Sequence, residues 1–399
     1  MRTKINLFMA VTAVICLITM VGGVAEALPA NHDANPMAGV LNAMYNAEYC
    51  KAQLMLEGWL QSHPSDFQAW NYLAKTILDQ EMLREGLFTG SAYLNGGKAF
   101  QKRREPLPSG FEDRLNAALG KAETLETARL REDPKDQEAL YWLGATHATR
   151  AEYDFTLLRS YLAALHEGRL AWKTNRRLLK LNPHFIDAYF IAGIGEYTAS
   201  LLPWYVKIVT SIAGVHGNRK RGIADLERVS KKGNYARIDA RIVLVAIYER
   251  EKDYGDALSL IQQMGAAYPE NFLAPLEMGE VYEQEGNWGK AAQVYDGGVT
   301  KFVDGKTERP CIPTALILYR AGRAHERMGE TAKALALYGQ AATDPGKSLT
   351  GYQAELAAAN LDRHLGRRDE ARKAYQRVAD AVPNSDLGKA ARAGLAELH

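Results

Sequence analysis

Four stretches in the second half of the chain repeat one another at a spacing near 34 residues, and no other feature limits the possible folds as strongly. Placing Ala257, Ala291, Ala334 and Ala371 in register aligns Ile261, Tyr295, Tyr338 and Tyr375 four residues later. Earlier in the same copies stand Tyr248, Gly279, Gly322 and Ala359, and the first and last copies end on Pro269 and Pro383. The two halves of each copy are joined by KDYGDA, GNWGKA, GETAKA and GRRDEA. Small residues at the eighth and twentieth positions let two antiparallel helices touch. Large residues at the fourth, eleventh and twenty-fourth fill the gaps, and proline near the thirty-second ends the second helix. One such pair cannot bury its apolar face alone, so neighbouring copies must stack. The expected fold is all-α, a superhelical solenoid of antiparallel helix pairs.

This pattern resembles the tetratricopeptide repeat. Regular copies are expected at about 238–271, 272–305, 315–348 and 352–385, followed by a capping helix at 386–399 with Asp386 as its N-cap. Upstream the likeness continues less regularly, in WNYLAKTI after Pro64, LYWLGATH after Pro134 and YFIAGIGE after Pro183. Irregular insertions separate these copies. FTGSAYLNGGKAFQKRREPLPSG reads as a long connection, the pair after Gly144 is about fifteen residues too long before Ala171, and VDGKTERPC is a shorter insertion. A single array over 36–399 is the expectation.

The N-terminus has the form of an export signal over 1–27: Arg2 and Lys4, an apolar run from about Leu7 to Val21, then Ala25, Glu26 and Ala27. A linker at 28–35 follows. An uncleaved anchor is the competing reading, because Ile5 to Val24 nearly suffices to span a bilayer. Removing Arg2, Lys4 and Glu26 leaves 47 basic against 46 acidic residues, from 49 and 47. Near neutrality gives no whole-molecule attraction to nucleic acid. The expected location is exported, the periplasm above all. Cys50 and Cys311 fall near opposite ends of the array, so both are expected as buried, unpaired thiols.

No HExxH, CxxC, G-x-S-x-G or Walker loop occurs. His147 and His325 occupy the repeat's eleventh position, where a packed aromatic-sized filler is expected. No enzyme activity, cofactor or metal is therefore expected, and binding is the natural use of such a scaffold. In the repeat class it resembles, first helices line the concave surface. Position five reads Asn71, Tyr141, Phe190, Ile242, Leu276, Tyr319 and Leu356; position nine reads Lys75, Ala145, Ile194, Ala246, Glu280, Arg323 and Asn360. These residues either face a groove or pack against a neighbouring helix. Toward the C-terminus the lining becomes polar, and Tyr319, Arg323, Glu326, Arg327, Asn360 and Arg363 are the candidate contacts for a protein or peptide partner.

One stretch breaks the regularity: SLLPWYVKIVTSIAGVHGNRKRG, Ser200 to Gly222. Its Ser200-Leu201-Leu202-Pro203, Gly217-Asn218-Arg219 and Gly222 with Leu226 resemble the inclusion-body-clearance (tetratricopeptide-repeat-thirty-nine) family, with Trp204 replacing a second proline. The resemblance covers about 60 residues and implies a non-enzymatic helical-repeat adaptor. On its own residues the stretch is expected to shape the array from within, Asn218 and Arg219 capping helix ends. Two other readings remain: a membrane-surface contact through Trp204, Lys207, Arg219, Lys220 and Arg221, and an anion site at the following helix N-terminus.

Overall fold

The computed structural model describes residues 36–88, 107–201, 217–304, 314–343 and 349–398. The described residues are helical throughout, with short turns and no strand among them. The chain divides into two compact units, one ending at Pro269 and one starting at Glu270.

Unit 1 contains α1 (Pro36–Tyr45), α2 (Tyr49–Ser62), α3 (Phe67–Arg84), α4 (Phe111–Glu132), α5 (Gln137–Thr156), α6 (Tyr161–Leu181), α7 (Tyr189–Ser200), α8 (Arg219–Lys232), α9 (Arg237–Glu251) and α10 (Tyr254–Ala267). Successive helices pack against one another, α1 with α2 included. Side chains placed to satisfy orphan amides open several of them: Asp66 accepts from the Ala69 N–H, Asp136 from that of Ala139 and Asn218 from that of Arg221. The extra length after Gly144 is not an inserted loop. It is absorbed by two long helices, α5 and α6, of 20 and 21 residues.

α1 packs against α2 and also reaches beyond it. Met37, Val40, Leu41, Met44 and Tyr45 are buried in one cluster with Tyr72 of α3, Tyr141 of α5, Ile238 of α9 and Tyr268 beyond α10. The Tyr45 and Tyr268 rings lie 5.1 Å apart. Through Tyr45 the helix reaches Tyr72, Tyr141 and Tyr268, and several positions expected to line a groove are buried: Asn71, Lys75 and Tyr141 on this side, Phe190 and Ile194 in a separate cluster. Ala145 and Ile242 stay half-buried.

Unit 2 contains α11 (Leu273–Gln284), α12 (Trp288–Phe302), α13 (Thr314–Arg327), α14 (Thr331–Ala342), α15 (Leu349–His364), α16 (Arg368–Ala381) and α17 (Asp386–Ala396). Gly279 shows why the eighth position must be small: a Cβ there would stand 2.2 Å from Cε1 of Tyr295. Gly322 meets Tyr338 in the same way at 2.8 Å. The turns between paired helices use Gly286, Gly329 and Gly366 at φ near +76° to +80°, a region that glycine enters without strain. In unit 1 the equivalent turn carries Lys252 at φ 65° instead.

Two expectations need correction. The cap of α17 is Ser385, whose Oγ accepts from the Gly388 N–H at 3.1 Å; Asp386 is the first helical residue. Cys50 is half-exposed and held in a disulfide rather than free. The other two cysteines, Cys16 and Cys311, lie outside the described residues.

Candidate partner-binding surface

In unit 2 the first helices α11, α13 and α15 carry the expected contact residues, and ion pairs hold them in place. Glu280 and Glu283, one turn apart on α11, face Arg320 and Arg323, one turn apart on α13. Arg320 pairs with Glu280, and Arg323 Nη2 lies 2.7 Å from Glu283 Oε2. Burial opposes the charge on Arg320, but Glu280 outweighs it and holds the guanidinium firmly protonated. Glu283 also accepts from the Tyr295 hydroxyl at 2.9 Å. Burial nevertheless raises its carboxyl above the ordinary value. The Tyr338 hydroxyl donates to Glu326 at 2.5 Å, twelve residues apart like Tyr295 and Glu283. The repeat thus positions a tyrosine under each acidic residue at that register.

The surface above this layer is polar and aromatic. Tyr319 is half-buried, accepts from Gln353 Nε2 at 3.1 Å, and its ring lies 5.9 Å from that of Tyr338. Arg323 keeps 39% of its side chain exposed. Trp288 sits 4.8 Å beneath the Arg327 guanidinium and 5.8 Å from that of Arg323. A cation over an indole face is attracted by the ring quadrupole, which fixes both groups. The structure therefore brings Tyr319, Arg323, Glu326 and Arg327 together. Asn360 and Arg363 stand further along on α15, where Asn360 accepts from the Tyr375 hydroxyl at 2.7 Å and Arg363 pairs with Glu397.

Sequence reasoning placed Glu280 on the inner row but missed Glu283, Arg320 and Trp288 as parts of this surface. A signal was present. Glu280 and Glu283 precede Arg320 and Arg323 by the same 40 residues, so two pairs at equal offsets and helical spacing had to meet across neighbouring repeats. The two expected filler histidines are packed: His147 Nδ1 lies 2.8 Å from Glu167, and His325 sits between Glu330 at 2.7 Å and Asp296 at 3.0 Å. Among the described residues, no group of three or more His, Cys, Asp or Glu side chains could hold a metal.

Of the central stretch, residues 202–216, with Trp204 and Lys207 among them, lie outside the described residues. The flanks are informative. Asn218 caps α8 as expected, and its backbone N–H donates to Glu196 O at 3.1 Å. Arg219 pairs with Glu251, Arg221 Nε lies 3.3 Å from Glu196, and Lys220 is exposed. A Cβ on Gly222 would stand 2.6 Å from the Tyr197 amide nitrogen and 2.7 Å from Gly193 O, so α7 and α8 cross backbone to backbone at two glycines. Among the described residues no helix is long and apolar enough to cross a membrane.

Residues 317–345 and 353–385 match the tetratricopeptide repeat family model. These spans fall on α13 with α14 and on α15 with α16, two of the four expected regular copies. The fold is the all-α, tetratricopeptide-type stack of antiparallel helix pairs. Among solved structures, yeast Tom70 aligns over 92% of this chain and 90% of its own at 13% identity, with a TM-score of 0.41. Cut9, in the Cut9–Hcn1 hetero-tetramer of the APC/C, aligns over 93% of this chain and 57% of its own at 12% identity and a TM-score of 0.45. Human IFIT1, in a dimer with m7Gppp-AAAA, aligns over 98% and 85% at 12% identity and a TM-score of 0.45. Likenesses this distant carry nothing about partners. No curated protein matches the chain.

Proposed function

We propose that this chain is an exported, non-enzymatic helical-repeat scaffold that binds a protein or peptide partner along the first helices of unit 2. The observation that carries the reading is the contrast between inner positions. In unit 1 most of them are buried, Asn71, Lys75, Tyr141, Phe190, Ile194 and Ala246 among them, whereas in unit 2 Tyr319, Arg323 and Asn360 stay half-buried beside an exposed Arg327 and a half-buried Trp288. Tyr319, Arg323, Arg327 and Trp288 are held by ion pairs and ring contacts before any partner arrives, so little ordering entropy is lost on binding. Tyrosine, tryptophan and arginine are also the residue types that dominate binding energy at protein interfaces. Neither cofactor nor nucleic acid is part of this reading.

Export is supported by the N-terminal pattern and by the disulfide at Cys50, since disulfides persist in oxidising compartments. The resemblance of Ser200 to Leu226 to the inclusion-body-clearance family is kept as a proposal about ancestry; the adaptor role it implies agrees with the scaffold reading.

The test is affinity purification of the tagged full chain from the envelope fraction of its source. A partner retained by the native chain and lost on Tyr319→Ala/Arg323→Glu is the expected result; retention by the double variant overturns the placement. N-terminal sequencing of the recovered protein should begin near Leu28, and a chain still starting at Met1 overturns cleavage.

A further inference from the structure

Helix α6 has two faces of opposite character. Ala164, Gly168, Ala171, Asn175 and Leu178 are buried in unit 1. On the other side Leu162, Leu165, His166, Arg169, Lys173, Arg176, Arg177 and Lys180 are all exposed. At about 100° per residue these eight fall within one stripe, which runs roughly 27 Å from Leu162 to Lys180.

The stripe carries five arginine or lysine side chains, and none has a carboxylate within ion-pair distance among the described residues. Arg176 lies 4.9 Å over the Trp172 ring, and Arg177 donates to the Pro134 carbonyl. Glu167, the only acid on the helix, is turned to His147. By contrast Arg219, Arg221, Arg323, Arg363 and Arg377 pair with carboxylates. At the head of the same stripe Leu162 is 81% exposed and Leu165 40%, and Leu158 in the preceding turn is 42% exposed.

We propose that this face of α6 docks the protein onto an anionic lipid bilayer. Cations along the stripe sit at the level of the lipid phosphates while Leu158, Leu162 and Leu165 enter the acyl boundary. Exposed leucines add nothing to nucleic-acid binding, and a helix face offers no groove for a peptide. The N-terminal apolar run has the form of a leader or anchor, which would carry the chain through or to a membrane. The surface is distinct from the partner face of unit 2, so the two stand or fall separately.

The experiment is co-sedimentation of the chain from Leu28 onward, which keeps every described residue and removes the apolar run. Vesicles of phosphatidylcholine alone are compared with vesicles in which a third of the lipid is phosphatidylglycerol. Binding should require phosphatidylglycerol and weaken with added salt. Arg169→Gln/Lys173→Gln/Arg176→Gln should weaken it about 100-fold, and Leu162→Ser/Leu165→Ser about tenfold. Arg368→Gln/Arg372→Gln/Lys373→Gln on α16 should leave it unchanged. All these positions are exposed, and circular dichroism checks that each variant keeps its helix content. Absence of vesicle binding, or binding indifferent to the α6 charges, overturns the proposal. So does a silent leucine variant coupled with α6-dependent binding of polyglutamate or single-stranded DNA, which would assign the stripe to an acidic macromolecule.

Discussion

Replacing Glu126 by Gln should stabilise unit 1 in a pH-dependent way. Glu126 is fully buried, and burial pushes its carboxyl up to about 8, against the lowering effect of hydrogen bonds from Asn71 and Thr146. The geometry suits the protonated form. Asn71 Nδ2 donates to Glu126 Oε1 at 2.6 Å, Thr146 Oγ1 lies 2.9 Å from Asn71 Oδ1, and both carboxyl oxygens are 3.0 Å from Thr146 Oγ1. The threonine has one hydrogen. If it donates to Asn71, a protonated Glu126 completes the ring by donating to Thr146, which a glutamine amide can also do.

In the unfolded chain the carboxyl loses its proton near 4.5, and in the folded chain near 8. Its contribution is therefore fully favourable below 4.5 and is lost as pH rises through 8. The native carboxyl penalises folding by about 1 kcal/mol at pH 5 and about 4 kcal/mol at pH 8. Glutamine carries no such penalty. Urea unfolding of native and Glu126→Gln chains at the two pH values should show the variant's advantage growing by about 3 kcal/mol from pH 5 to pH 8. Comparing differences cancels every other titrating group. Parallel stabilities across that range would refute the reasoning.

Two further outcomes follow from the packing. Gly279→Ala drives a methyl into the fully buried Tyr295 ring, and thermal unfolding should show a loss of about 2 kcal/mol; Gly297→Ala, where a Cβ meets nothing within 4 Å, should not show it. Lys75→Met leaves Asp79 and Glu152, which Lys75 contacts at 2.5 and 3.1 Å, buried beside Asp239 without their cation; denaturant titration should register a loss of about 3 to 5 kcal/mol, and a neutral result would show that these acids are already protonated.

The regular repeats were legible because each position in them does one mechanical job. Gly279 and Gly322 are small where Tyr295 and Tyr338 press against the helix, and the turns at Gly286, Gly329 and Gly366 need a left-handed residue. Local chemistry also marked the Asn218 cap. What stayed hidden was tertiary. PMAGVLNAMY gives no sign that α1, besides packing on α2, brings Tyr45 to Tyr72, Tyr141 and Tyr268, so the sequence left open whether Asn71, Lys75 and Tyr141 face a groove or are core. The candidate surface was half visible: Tyr319, Arg323, Glu326 and Arg327 came from their register, but Trp288 joins them only through the turn that lays its ring beneath Arg327.

The closure at Gly217 has a consequence for how this chain tolerates change. A Cβ on Gly217 would stand 2.1 Å from the Ser200 amide nitrogen, so the end of α7 and the residue before the α8 cap meet backbone to backbone. The helices on either side are joined by their own contact at Gly193 and Gly222. The crossing of α7 and α8 therefore rests on three bare backbones, and a side chain at Gly193, Gly217 or Gly222 would have to push the two helices apart.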